Sequence, residues 1–309
     1  MKIAIDIGYG DVKVVTDKHE FKFTNAIAFA GVNAVDYGDD AGEVFLYGDK
    51  NFFVGESALL HSPLITRNYQ YLEKYAPLLV YKALKMAKIK PTDEIEVITG
   101  LSLIDFNNNA KSFGKRLSTI NVNNEIFNIE LKNITVLPQG VGIYIDYKNT
   151  HNITTDDFFA IIDIGYNTFD FLVFQNGSPI KSKCYANTHG VNTLIQQLQA
   201  ILGKQFNSQF NEQEVKDFLA TKSFRIGKHH HDISNIVQQQ LEIYAEIINN
   251  EVSAKNQDIL NRVFGIIISG GGAYLLKESN TQIFDHQIFS NAPYEFANVR
   301  GYFSFLKDK

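Results

Sequence analysis

Two stretches of this chain are near copies of each other. "IAIDIGYGDVKVV" (3–15) and "AIIDIGYNTFDFLVF" (160–174) share Asp-Ile-Gly-Tyr, with apolar flanks on both sides, about half a chain apart. Each reads as a strand tipped by an aspartate, a glycine turn and a returning strand. A duplication at that period in 309 residues implies two similar α/β halves facing each other.

The remaining pattern is consistent with two such halves. "EVFLYGDKNFFVGESALL" (43–60) reads as a hairpin turning at Gly48-Asp49. Residues 68–89 carry near-helical apolar spacing, and Pro77 is expected to interrupt that helix. "EIEVITGL" (94–101) is a strand buried on both faces, and "ITVLPQGVGIYIDY" (134–147) is a strand, a Pro-Gln-Gly turn and a helix. After the second copy, with a hairpin turn at Asn176-Gly177, come helices over 191–202, 211–221 and 232–256. A buried strand then ends in three glycines within "RVFGIIISGGGAYLL" (262–276), and the tail "NAPYEFANVRGYFSFLK" closes as a short helix. The expected domains are 1–148, with 288–309 packing back on it, and 149–287.

Composition narrows the class. Hydrophobic residues make up 45% and charged residues 20%, as in an ordinary globular protein. No apolar run reaches the roughly 18 residues of a membrane span, and the N-terminus enters a strand without a signal peptide. One cysteine, Cys184, fits a reducing cytoplasm. A net charge of −5 disfavours direct nucleic-acid binding, and Lys82, Lys85, Lys88 and Lys90 read as a solvated helix face. The histidines of "GKHHHDIS" (227–234) read as a solvent loop before a helix capped by Asp232 or Ser234. Lys181 and Lys183 read as exposed strand residues.

The glycine turns carry the chemistry. Without a Cβ, such a turn leaves backbone N–H groups free to meet phosphate oxygens. Asp6 and Asp163 would repel phosphate alone, but make sense beside a hard divalent cation that keeps its waters. Lys13 supplies a positive charge for a β- or γ-phosphate. Asp6, Gly8, Gly10 and Lys13 therefore read as half of a Mg-nucleotide clamp. "ISGGGAYLL" (268–276) would let a base and ribose lie against backbone. No P-loop and no complete dinucleotide fingerprint occurs.

Together these segments resemble the actin, hexokinase and heat-shock chaperone ATPase superfamily, and within it the ParM/StbA group of bacterial actins. "DIGYGDVK" and "DIGYNTFD" resemble its two phosphate loops, and "ISGGGAYLL" its adenosine motif. "NFFVGESAL", "VITGLSL", "VLPQG" and "FANVRGYF" resemble further family segments. The resemblance implies two duplicated ribonuclease-H-like, actin-type domains with a nucleotide cleft between them. It implies that Asp6 and Asp163 hold Mg²⁺ through water. Gly8, Gly10, Gly165 and Asn167 would offer backbone to ATP, Lys13 its side chain, and Gly270, Gly271 and Gly272 would border the nucleotide. Gln139 falls where relatives orient the attacking water, and Asp170 closes the second loop. Tyr9 and Tyr166 stand in those loops where many relatives have smaller residues, and Asp11 adds negative charge. The expected function is an ATPase that forms filaments and positions plasmid DNA in the cytoplasm. A small DNA-binding adaptor would connect it to the DNA, with no membrane contact. A small-molecule kinase using Asp105, or a non-polymerising ATP-dependent scaffold, stays open as an alternative.

Overall fold

Short apolar strands set the centre of the first half. β1 (Lys2–Ile7) and β2 (Asp11–Thr16) pair antiparallel with Ile7 opposite Val12, leaving Gly8, Tyr9 and Gly10 as the turn. β3 (Glu20–Thr24) extends the sheet beyond β2. β4 (Ile27–Phe29), β5 (Val44–Tyr47) and β6 (Lys50–Val54) form a separate sheet in the order β4-β6-β5, with Gly48 at φ 64° in the β5–β6 turn. Next come α1 (Glu56–Leu59), α2 (Tyr69–Met86), β7 (Glu96–Leu101) and α3 (Leu103–Leu117). A hairpin of β8 (Thr119–Val122) and β9 (Glu125–Asn128) precedes β10 (Ile134–Pro138) and α4 (Val141–His151). The main sheet runs β10-β7-β1-β2-β3, parallel on the β10 side and antiparallel on the β3 side.

The second half repeats this plan. β11 (Phe158–Ile164) and β12 (Phe169–Gln175) pair antiparallel, followed by β13 (Ser178–Pro179), β14 (Tyr185–Asn187), α5 (Val191–Phe206) and α6 (Glu212–Thr221). β15 (Ser223–Ile226), β16 (His229–Asp232), α7 (Ser234–Leu260), β17 (Gly265–Ser269), α8 (Ala273–Glu278) and β18 (Gln287–Phe289) complete it. Its sheet runs β13-β12-β11-β17-β18, so β17 and β18 take the places of β7 and β10. α9 (Ala297–Lys307) then packs on the first sheet. In this computed structural model residues 1–31, 42–64, 67–151 and 158–307 are described; the last two residues of the expected closing segment lie outside them. The chain divides into two compact units, Met1–Asn152 with Asn291–Lys309, and Ile153–Ser290.

Alternation along β1 decides which helices it meets, because neighbouring side chains leave a strand on opposite faces. Ile3, Ile5 and Ile7 join the core under α2 and α3, with Leu79 and Phe113. Ala4 and Ile98 turn to the other face, against Val299, Tyr302 and Leu306 of α9. Both faces of the sheet centre are thereby dry.

Four sequence expectations need correction. Pro77 does not interrupt α2, although it cannot donate the hydrogen bond that Glu73 carbonyl would accept. Arg116 Nε donates to that carbonyl instead, at 3.3 Å. Lys82 is not part of a solvated face: its ammonium donates to Val54 carbonyl at 2.5 Å over the rings of Phe23 and Phe45, and burial lowers its pKa. Lys181 and Lys183 sit in a 3-10 turn, with Lys183 paired to Asp258 at 3.0 Å. The three histidines form strand β16 of a hairpin; His231 packs on Phe206 and Phe224, and Asp232 accepts from Ser234 N–H as the following helix begins.

Candidate functional site

The two aspartates of the repeat end equivalent strands. Both are buried, Asp6 at 4% exposure and Asp163 at 6%. Both turns close alike: Gly8 N–H donates to Asp11 carbonyl at 3.1 Å and Gly165 N–H to Thr168 carbonyl at 2.9 Å. Beyond that bond, the N–H groups of Tyr9, Gly10 and Asn167 donate to no backbone carbonyl among the described residues. Unsatisfied donors grouped in a glycine turn form an anion-binding concavity.

Strand register makes the copies chemically different. Asp6 lies opposite Lys13, whose ammonium is 3.6 Å from Asp6 Oδ2. At the matching position Asp163 lies opposite Asp170, which is 1% exposed. One turn thus carries a buried ion pair and the other two carboxylates on the same face of a strand pair. A side chain at Gly8 would meet Lys13 Nζ at 2.9 Å, so the glycine makes room for the lysine.

Gln139 joins the first turn. Its Nε2 donates to Asp6 Oδ1 at 3.0 Å, and its own N–H donates to Leu101 carbonyl at 2.8 Å. Gly140 holds a φ of 87°, a conformation that favours glycine, and its N–H donates to Asn298 Oδ1 at 2.8 Å. Asn298 comes from α9, so the closing helix fixes the Gln139 loop. The helix comes that close because Gly301 touches Gly142 of α4; a Cβ on either would overlap backbone of the opposite helix. Arg300 anchors the same crossing, donating from Nε and Nη2 to Asp146 at 3.1 and 3.0 Å.

In the second unit the three glycines meet the second turn. β17 lies beside β11, with Ser269 opposite Asp163. Gly270 has a φ of 83°, and a side chain there would collide with Asp163 carboxylate and Ile164 carbonyl. Gly272 N–H donates to Ile164 carbonyl at 2.9 Å, while a Cβ on Gly271 would have nothing within 4 Å. Open space beside Gly271 is where a flat ligand could lie against backbone.

Sequence reading missed several residues that shape these turns. Asn25 holds the first: Nδ2 donates to Gly8 carbonyl at 2.7 Å and its N–H to Gly10 carbonyl at 2.8 Å. Asn25 Oδ1 is buried without a partner among the described residues. Tyr166, expected beside the phosphates, donates its hydroxyl to Glu212 Oε1 at 2.8 Å under Lys216 Nζ, 4.1 Å above its ring. Glu212 and Lys216 pair at 2.9 Å. Tyr9 ionises only well above its usual range, first because of burial and then because Asp105 is near. Burial also raises the pKa of Asp105.

Among the described residues no group of three or more His, Cys, Asp or Glu could hold a metal by itself. One carboxylate at the first strand pair and two at the second fit Mg²⁺, which keeps several waters and takes one or two carboxylates plus substrate phosphates. No helix of the described residues is long and apolar enough to cross a membrane.

The fold and these turns define an actin-type protein. Residues 4–142 match the family model for the N-terminal domain of actin-like proteins, and residues 161–280 that for the C-terminal part of archaeal MreB-like actin homologues. Each half of the chain thus matches a model from the actin-like proteins, and the whole chain has the fold of ParM and of archaeal actin. A ParM from a 15-stranded filament of Clostridium botulinum is 23% identical, with a TM-score of 0.84 covering 100% of this chain and 99% of that one. An archaeal actin homologue is 21% identical, with a TM-score of 0.83 over 100% of this chain and 99% of that one. The same homologue in complex with ADP gives a TM-score of 0.79 at 21% identity, over 100% and 99% of the two chains. Curated proteins give no sequence match.

Proposed function

We propose that this protein is an ATPase that binds ATP with Mg²⁺ and assembles into filaments. The observation that carries the reading is the duplicated turn, with its matched Gly8 and Gly165 hydrogen bonds, on an actin-type fold. A similar fold has been solved as a ParM filament and another with ADP, which supports self-assembly and nucleotide as the shared theme. In this reading Tyr9, Gly10 and Asn167 offer backbone N–H groups to phosphate oxygens, and Tyr166 fixes its turn through Glu212. Lys13 adds its ammonium, and Asp170 sets the charge beside Asp163. Asp6 and Asp163 would hold Mg²⁺ through water, and Gly270, Gly271 and Gly272 would border the nucleoside. Magnesium, when bound, neutralises charge on the transferred phosphate. Gln139, tethered through Nε2 to Asp6, keeps Oε1 to accept from the attacking water. A neutral amide positions water but is a poor base, so turnover is slow.

We further assign the filament to positioning plasmid DNA in the cytoplasm through a small DNA-binding adaptor. A net charge of −5 suits a protein that leaves phosphate-backbone contacts to a partner. Sedimentation and electron microscopy with ATP, ADP and no nucleotide test the reading. Polymer with ATP that disperses as ADP accumulates supports it; particles of one size in all three conditions reject it.

A further inference from the structure

A groove in the first unit shares no residue with the Gly8 and Gly165 turns. Its cavity is about 560 Å³ and lies among the β5–β6 hairpin, α2 and the α3–β8 region. Aromatic rings form part of its wall. Phe52 and Tyr75 are buried and meet edge to face at 5.7 Å, and Phe29, 48% exposed, lies 5.1 Å from Phe52.

Three cations line the same groove, each from a different element. Lys50 Nζ sits 5.6 Å over Phe29 and Lys74 Nζ 5.1 Å over Tyr75. Among the described residues neither lysine has a carboxylate within ion-pair distance. Arg116 spends its donors on neutral oxygens: Glu73 carbonyl at 3.3 Å, Lys74 carbonyl at 3.5 Å and the Tyr47 hydroxyl. Pro77 is what makes the Glu73 carbonyl available, so the helix-interior proline preorganises the guanidinium. Asp49 is the single acid among the described lining residues. In a chain of net charge −5, the described lining residues thus carry three cations against one acid.

We propose that the groove docks an acidic peptide segment, bearing an aromatic side chain, from a partner protein. The rings offer stacking and edge contacts to an aromatic group. Charge complementarity selects carboxylates on either side of it. Cations contributed by β6, α2 and α3 suit several carboxylates spaced along a peptide. The proposal does not depend on the nucleotide reading, since it uses none of those residues.

A fluorescein-labelled peptide, Glu-Asp-Glu-Trp-Asp-Glu, titrated into the full chain tests it by fluorescence anisotropy. Saturable binding below about 1 mM is expected, weakening as salt screens the charges. The double variant Lys50→Glu/Lys74→Glu is expected to weaken binding about tenfold or more, as is Trp→Ala in the peptide. Phe29→Ser, at an exposed position, provides a second variant if the charge reversals disturb folding, and it should weaken binding in the same direction. No binding up to several millimolar, or binding that neither protein variant alters, overturns the proposal. So does a change in self-assembly of the double variant without peptide, which would make the groove a contact between copies.

Discussion

Gln139 Nε2 donates to Asp6 Oδ1 at 3.0 Å while Lys13 Nζ lies 3.6 Å from Asp6 Oδ2. The carboxylate is therefore oriented from both sides, by an amide from one loop and an ammonium from the facing strand. Gln139→Ala should lower ATP turnover about 10²-fold with nucleotide affinity nearly unchanged, the range for losing a positioned catalytic group. Single-turnover kinetics alongside equilibrium binding separates the two effects. Lost affinity with residual turnover intact would place Gln139 in binding instead.

Asp163 lies opposite Asp170 across β11 and β12, both nearly inaccessible. Like charges directly opposed in a sheet are destabilising. Asp163→Asn should therefore fold with stability within about 1 kcal/mol of the parent. It should also lose most of the rise in Tm that ATP with Mg²⁺ gives, because ligand stabilisation scales with affinity. A full ligand-induced shift in the folded variant contradicts the metal role of Asp163.

The repeat was legible because Asp-Ile-Gly-Tyr is local, and its consequence, the same strand order in both sheets, followed from it. What the sequence hid are contacts between distant segments. Asn298 reaches Gly140 across 158 positions, and Asn25 serves Gly8 from 17 residues away; neither carries a local pattern. Pro77 misled because a helix survives an interior proline when another group takes the released carbonyl, here Arg116. Leu103, Phe106, Ala110, Phe113 and Leu117 recur at helical spacing along α3, and Phe113, Gly114 and Leu117 are its buried positions. The histidine run misled in the opposite way: alternation on β16 turns His231 toward rings and leaves His230 exposed.

The helix crossing at Gly142 and Gly301 controls the Gln139 loop from a distance. Gly301→Val should destabilise the first unit by about 3 kcal/mol, since backbone sits where the new side chain must go. Chemical denaturation measures this directly. An unchanged midpoint would show that α9 can shift without cost.

Burial raises the Asp105 carboxyl pKa, so folding opposes its ionisation. The folded state then binds more protons than the unfolded one as pH rises from about 4, and stability declines through that window. Asp105→Asn removes the opposition, so its stability relative to the parent should grow as pH rises from about 4 toward neutrality. Urea midpoints at several pH values check the sign. ATP turnover in Asp105→Asn should match the parent, because Asp105 has no role in the filament account; a large loss would favour the kinase reading.

Nucleotide hydrolysis by an assembling protein depends on protein concentration. The direct measurement is ATP turnover per molecule across a hundredfold range of protein concentration, with pelleting at each point in ATP and in a non-hydrolysable analogue. Turnover per molecule should rise above a threshold concentration, and polymer should pellet with the analogue above a similar threshold. A flat rate over the whole range, with no pellet in either nucleotide, would contradict the claim.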